Sequence, residues 1–330
     1  MRRIIFAPIT NAVLGLSSLN IVLNSLTQEK IQDQLGRRLF KYLIIDNEKI
    51  KNNIPEEFIE YIEFVPQQII LSALNTIDTG YIAVAVPTKD LKAARINSAK
   101  LCHQLLVYLH KQFPTRFNIY ENTEITKIDL HQEHAILYHI NGSVQTRELI
   151  LCTNGYTNFS IIDQKNNRVV TKLNDAITAR EGYLGAYLDE QKQDHVCAFY
   201  DDRGIYKDVP YFYLSHLSGV TVLGGPEYNV PKHDAADLIA FHAQPSLKVS
   251  CQFLRHTFGV TKNTFDYFWH GTMGYTTNGL RWVGKDSFYP HLWYNLGCNG
   301  VGIVAAFFSG EKIARLLQGE KLPAFIFDPL

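Results

Sequence analysis

Residues 293–317, WYNLGCNGVGIVAAFFSGEKIARLL, constrain the fold of this chain more than any other stretch: an apolar strand, a glycine cluster and an apolar helix follow without a spacer. Gly297, Gly300 and Gly302 let backbone pass close to another group where a side chain would block the approach. The helix that follows, from about Ile303, turns its unpaired N–H groups and the positive end of its dipole toward the same place. The expected occupant is electron-rich: a phosphate, a carboxylate or the edge of an electron-rich heterocycle. A tight strand-to-helix turn that merely needs small residues gives the same pattern, so the neighbouring segments decide.

Upstream, residues 269–284 read WHGTMGYTTNGLRWVG, and the apolar HLWYNL lies between them and Gly297. Earlier still, Leu91, Ala94, Ala99, Leu101, Leu105, Leu106 and Leu109 recur at helical spacing, which predicts a helix over 87–113 with Lys92, Arg95, Lys100 and His103 on its solvated side. After Pro114 the segments FNIYENTEITKIDL, HAILYHI and VQTRELILCTNGYTN read as strands, and Asn141-Gly142 marks a hairpin.

The order W-x-G-x-x-x-Y-T-x-[ND]-G-x-x-x-x-G, strand, G-C-N-G-x-G-I, helix resembles the C-terminal end of the D-amino-acid-oxidase-like (DAO) family of FAD-dependent oxidoreductases. The resemblance spans residues 75–160 and 205–325. It implies an α/β fold: a Rossmann-like FAD-binding domain, N-terminally incomplete, formed by 87–162 and 270–330. An interleaved antiparallel-sheet substrate domain would comprise 1–86 and 163–269. It also implies FAD as cofactor, with Thr123, Glu124, Ile125 and Ile128 at the adenine, and Thr153, Asn154 and Gly155 at the end of a buried strand. Gly274, Gly297, Cys298, Asn299, Gly300, Val301, Gly302 and Ile303 would lie at the flavin. Tyr213, Met273 and Tyr275 are the substrate-pocket candidates, with Trp269 and Trp282 beside them.

Members of that family begin with a strand, G-x-G-x-x-G and a helix. No G-x-G-x-x-G occurs in these 330 residues. Phe6-Ala7-Pro8 resembles the stretch after the family's second phosphate-contacting loop, so a βαβ unit of roughly 30–50 residues is expected to be missing. The resemblance implies a truncated flavoenzyme that oxidises a C–N bond of an amine or amino acid by hydride transfer to the flavin, with a separate chain as one source of its missing unit; the alternative is a non-catalytic remnant or partner subunit of a split flavoprotein oxidoreductase.

The remaining features set limits. Lys plus Arg equal Asp plus Glu at 32 each, which gives no basic face for nucleic acid. No apolar run is long enough to span a bilayer, and Pro8, Asn11 and Asn20 interrupt any leader-like region, so a cytoplasmic location is expected. Five cysteines without C-x-x-C read as reduced, mostly buried thiols, and twelve histidines lack metal-ligand spacing. PYFYLSHLSGVTVLGGPEY reads as a hairpin, Ala235–Phe258 as a helix interrupted or restarted at Pro245, and 20–65 as peripheral helices. Relatives acting on small α-amino acids carry an arginine at the site matching Met273, and some a second at Gly300. The methionine and glycine here favour an amine without a nearby carboxylate, and Arg281 has no assigned direction.

Overall fold

A computed structural model describes residues 36–38, 40–45, 62–66, 68, 76–77, 83–87, 94–156, 159–163, 168–188, 197–201, 209, 212–217, 219–230 and 235–324. Along the chain come strands β1 (Gly36–Arg38), β2 (Phe40–Ile45), β3 (Ile62–Pro66), β4 (Ala83–Pro87) and β5 (Ala94–Ile96), then helix α1 (Ser98–Gln112). There follow β6 (Lys127–Leu130), β7 (Ala135–His139), β8 (Gly142–Thr146), β9 (Leu149–Leu151), β10 (Ser160–Asp163), α2 (Arg168–Ala176) and β11 (Ile177–Leu188). The last part holds β12 (Cys197–Asp201), β13 (Phe212–Leu217), β14 (Val220–Asn229), α3 (Ala235–Phe258), β15 (Tyr267–Thr276), β16 (Trp282–Lys285), β17 (Leu292–Leu296) and α4 (Gly302–Leu317). The chain divides into two compact units, one containing Asn97–Arg180 and Thr272–Leu330, the other Gly36–Ile96 and Glu181–Gly271.

In the first unit, β10, β6, β7 and β8 form one sheet and β16, β17 and β9 another. β9 and β17 pair in parallel, Leu149 opposite Leu292, although they lie far apart in sequence. The Asn141-Gly142 hairpin is present between β7 and β8. Val169, Leu173 and Ala176 of α2 join Leu149, Leu151, Tyr294 and Leu296 in one core. On another face Ile313 of α4 packs with Val283 and Trp293, and Phe308 and Leu316 close over them.

Buried polar groups tie these layers together. Asp163 accepts from the Tyr289 hydroxyl at 2.5 Å and from the Val169 amide at 2.9 Å, the latter at the start of α2. Asp286 accepts from the amides of Phe288 and Tyr289 at 2.8 Å each and from the Tyr294 hydroxyl at 2.9 Å, with Lys172 Nζ 3.7 Å away. Burial, and then the Asp286 carboxylate, push the Tyr294 phenol far above its ordinary range, so it stays a donor.

The unit boundary after Arg180 lies later than the 162/163 division expected from sequence, because α2 contributes to the core of the first unit. The helix expected over 87–113 starts only at Ser98. Asn97 caps it by accepting from the Lys100 amide at 3.0 Å, while 83–87 and 94–96 are strands and Leu91 lies outside the described residues. Leu101 is the buried residue of α1, and Leu106 is 41% exposed.

The strands of the second unit belong to a sheet of order β15-β11-β14-β13-β12-β2-β4-β3, in which Ile177–Arg180 of β11 and Thr272–Thr276 of β15 are counted with the first unit. The β13/β14 hairpin pairs antiparallel as expected, whereas β12 and β2 run parallel. The 20–65 region is not helical where described: β1, β2 and β3 are strands, and β2 lies between β12 and β4. The F-K-Y-L-I-I run suits a strand paired on both sides. α3 runs through Pro245 without a break. Its Phe253 stacks on Phe212 at 4.1 Å between ring centroids, inside a core that includes Tyr187, Leu223 and Phe265.

Candidate functional site

After β9 the chain turns at Asn154, which adopts φ +54°. Asparagine tolerates this left-handed backbone better than most residues. Its side chain then spans to the glycine cluster: Oδ1 accepts from the Cys298 amide at 3.0 Å, and Nδ2 donates to Cys298 Sγ at 3.4 Å. β15 lies against the same turn. A Cβ on Gly155 would sit 2.6 Å from the Met273 carbonyl oxygen, and one on Gly274 would sit 2.8 Å from the Asn154 carbonyl carbon. Both positions are glycine because two backbones touch there.

The cluster itself is held by Asn299. Its amide donates to the Gly274 carbonyl at 3.0 Å, its Oδ1 accepts from the Thr276 amide at 2.8 Å, and its Nδ2 donates to the Gly297 carbonyl at 3.1 Å. Gly297 and Gly300 take φ +80° and +76°, and a Cβ on Gly297 would also overlap Thr276 Cγ2 at 2.4 Å. α4 begins immediately after. Its N-cap, Val301, makes no side-chain capping bond, and no acidic residue lies in the first turn. The free N–H groups and dipole of this helix therefore face the turn without a resident carboxylate.

Arg281 lies behind the turn, 8% exposed, with Nε donating to Asn295 Oδ1 at 2.6 Å and Nη2 to the Asn295 carbonyl at 3.4 Å. Burial lowers its pKa, while the nearby Cys298 and Cys152 thiols oppose that shift. Thr153 Oγ1, next to Asn154, is buried with no hydrogen-bond partner.

Thr153, Asn154, Gly155, Met273, Gly274, Tyr275 and the 297–303 segment thus share the first unit; direct contacts join Asn154 and Gly274 to the cluster, and Gly155 lies against Met273 and Gly274. Ile303 is 41% exposed at the start of α4. Glu124 and Ile125 precede β6. Glu124 is exposed and Ile125 packs partly against the core. Tyr213 belongs to the second unit, where its ring covers Gly224 across the β13/β14 pair. Burial and Glu227 raise its phenol well above the usual range.

Two sequence expectations need correction. Trp282 is no pocket residue but core, 4% exposed and edge-on to Tyr294 at 5.6 Å. Trp269, by contrast, is 41% exposed. The cysteines are not mostly buried: Cys102 and Cys152 are exposed, Cys298 half-buried and Cys251 buried, while the Cys197 side chain lies outside the description. Sequence reasoning also missed Arg180, whose guanidinium lies 4.6 Å from the Tyr275 ring centroid.

These residues fit the flavin end of FAD. The turn takes the left-handed backbone at Gly297 and Gly300, and an uncapped helix N-terminus follows it directly. The described residues hold no helix long and apolar enough to cross a membrane, and no group of three or more His, Cys, Asp or Glu arranged for a metal ion.

Comparison with known proteins points the same way. In fold the chain is similar to glycine oxidase from Bacillus cereus ATCC 14579, with a TM-score of 0.69 at 15% identity over 94% of this chain and 81% of that one. It is similar to FAD-bound L-α-glycerophosphate oxidase from Mycoplasma pneumoniae, with a TM-score of 0.62 at 16% identity over 97% and 83%. L-proline dehydrogenase from P. horikoshii is a third, with a TM-score of 0.66 at 14% identity over 96% and 81%. No curated protein matches the chain in sequence. The family model for FAD dependent oxidoreductases (DAO) matches residues 84–316, more than half of the chain. This protein, mixed α/β with a Rossmann-like FAD-binding part and an antiparallel sheet, therefore belongs to the DAO family of FAD-dependent oxidoreductases, with FAD as its cofactor.

Proposed function

We propose that the chain oxidises the carbon–nitrogen bond of a small amine or amino acid, as an oxidase or dehydrogenase. The observation that carries this reading is the turn at 297–302, tied by Asn154 and Asn299 and followed by an uncapped helix. When bound, FAD supplies the redox chemistry by accepting a hydride from the carbon that bears nitrogen. The Gly297–Gly302 backbone and the α4 N-terminus would hold the ring edge and favour negative charge there. Met273 and Tyr275, both half-buried on one face of β15, would shield the reacting carbon from water. No catalytic base is needed if the amine enters neutral.

Relatives named for amino acids, glycine oxidase and L-proline dehydrogenase, support a nitrogen-bearing substrate. Glycerophosphate oxidase is named for a substrate without nitrogen, so the test includes that class. The sequence lacks G-x-G-x-x-G, the loop that grips pyrophosphate, and we infer that these 330 residues by themselves bind FAD weakly. The experiment is anaerobic: the chain in excess FAD is mixed with amines, amino acids and glycerol 3-phosphate, and flavin bleaching is followed. Bleaching by a nitrogen-bearing compound is expected. Bleaching by glycerol 3-phosphate alone, or by nothing, rejects the reading. Recovery of colour with oxygen, against recovery only with a dye, separates oxidase from dehydrogenase.

A further inference from the structure

We propose that His291 is the proton acceptor of an acid-operated latch that opens the β6–β7 turn, at the end of the first unit remote from the glycine cluster. β9 and β17 run parallel, and the glycine cluster follows the C-terminal end of β17. At the other end His291 precedes β17 and Glu148 precedes β9, while His134 and the Gln132 main chain of the β6–β7 turn lie near the His291 ring. The Leu149 amide donates to the His291 carbonyl at 2.8 Å, which ties the main chain of His291 to the start of β9. The ring itself is 4% exposed and edge-on to Tyr289, 5.8 Å between centroids. Neither of its nitrogens has a hydrogen-bond partner. A neutral imidazole tolerates that state at modest cost; an imidazolium, with a charge and two donors to satisfy, does not.

The charged groups around the ring are already engaged. On its own loop, Asp286 accepts from the amides of Phe288 and Tyr289 and from the Tyr294 hydroxyl, with Lys172 Nζ 3.7 Å away. Before β9, Glu148 accepts from Trp293 Nε1 at 2.6 Å. In the β6–β7 turn, His134 is a second base, stacked on His131 at 4.5 Å between centroids. Asp129 Oδ1 stands 3.6 Å from His131 Nε2, and Glu133 is exposed to water. Burial is the largest influence on His291 and lowers its pKa below the ordinary 6.5; His134 acts in the same direction, while Glu148, the Gln132 main chain and Asp286 oppose it. The closed form is therefore complete above pH 6.5, and as pH falls the proton goes to an opened form. Which side opens follows from how each is tied. The 286–291 loop is held by Asp286, by the Tyr289 hydroxyl on Asp163 and by the Leu149 amide. The turn at 131–134 is closed by the His131 amide on the His134 carbonyl at 3.0 Å, with Gln132 and Glu133 exposed. The turn swings away and water reaches the ring, while the bond from Asn154 to the Cys298 amide at the opposite end stays closed. The outer end of the FAD-binding unit thus yields to acid before its cofactor end does.

The test is amide hydrogen exchange of the full chain at about pH 7 and about pH 5, corrected for the intrinsic exchange rate, with magnetic resonance spectra of isotope-labelled histidine rings from the same samples. On acidification, protection at 129–135 should fall by about tenfold or more, the change that about one pH unit of linkage supplies. Protection at 297–305 should hold, and the His291 ring should take up its proton below pH 6.5, together with the loss at 129–135. His291→Phe fills the same space without a proton site, and in that variant 129–135 should keep its protection to within about twofold. Equal protection of the unaltered chain at both pH values overturns the latch. So does a loss that persists in His291→Phe, or one shared equally by 129–135 and 297–305, which is global unfolding. If His291→Phe does not fold, the ring spectra decide: a His291 ring that is protonated while 129–135 is still protected overturns the proposal.

Discussion

Gly155→Ala probes the close contact between the Asn154 turn and β15. The new Cβ would lie 2.6 Å from the Met273 carbonyl oxygen, 2.7 Å from its carbon and 2.9 Å from the Gly274 nitrogen, all backbone atoms that no rotamer change can move aside. Ordinary contact begins at 3.4 Å, so the two segments must part by about 0.8 Å. Overpacking of this kind costs about 1–3 kcal/mol, and alanine recovers about 0.4–1 kcal/mol by restricting the unfolded chain. The net expectation is a loss of about 1–2 kcal/mol, seen as a melting temperature lowered by about 1–3 °C in thermal unfolding of the flavin-free chain. Gly274→Ala meets Asn154 from the other side, its Cβ 2.8 Å from the carbonyl carbon and 2.9 Å from the oxygen. Both substitutions push the same pair of backbones apart, so the double variant should lose less than the sum of the singles by more than about 0.5 kcal/mol. Strict additivity, or a neutral Gly155→Ala, would refute the reasoning.

Gly310→Ala on α4 meets nothing within 4 Å and should instead stabilise the chain by about 0.5–1 kcal/mol in the same melting assay. His291 is 4% exposed with both ring nitrogens unpartnered, and burial lowers its pKa below 6.5. Its neutral form is therefore favoured in the folded state, so its contribution is complete above pH 6.5 and is lost as pH falls, by up to about 1.4 kcal/mol per pH unit. His291→Phe should flatten denaturant-measured stability between about pH 7 and pH 5 relative to the unaltered chain. At Gly300, φ +76° means that a branched side chain would strain the backbone wherever it pointed, which makes Gly300→Leu ambiguous. Gly300→Asn tolerates that conformation, so a melting point within a few degrees of the original together with weakened FAD binding by fluorescence quenching is expected; unchanged binding would remove the turn from the cofactor site.

Features that need a special backbone were legible in the sequence. The glycine cluster, the Asn141-Gly142 hairpin and the β13/β14 hairpin each leave a chemical trace, because few residues accept a left-handed turn or a touching backbone. The strands β1 to β3 were not legible. Short apolar runs between charges fit helical spacing as well as alternation, and what makes β2 a strand is its pairing with β12 and β4, which lie elsewhere in the chain. Trp282 looked like a pocket residue because tryptophan suits both pocket and core, and only its packing on Tyr294 decides. The Arg180–Tyr275 contact left no sequence signal, since it depends on where β11 meets β15.

The bond from Asn154 Oδ1 to the Cys298 amide joins residues 144 positions apart. A ribosome must therefore finish the whole of Glu181–Gly271 before the first unit can close. Until then the emerging chain carries β9 without its β17 partner and with Leu149 and Leu151 uncovered by it. Non-local parallel pairing is slow to form and prone to association while it waits. Yield from a translating cell should thus depend on how well the nascent β9 edge is shielded until the last strand and helix emerge, more than on the stability of the finished molecule.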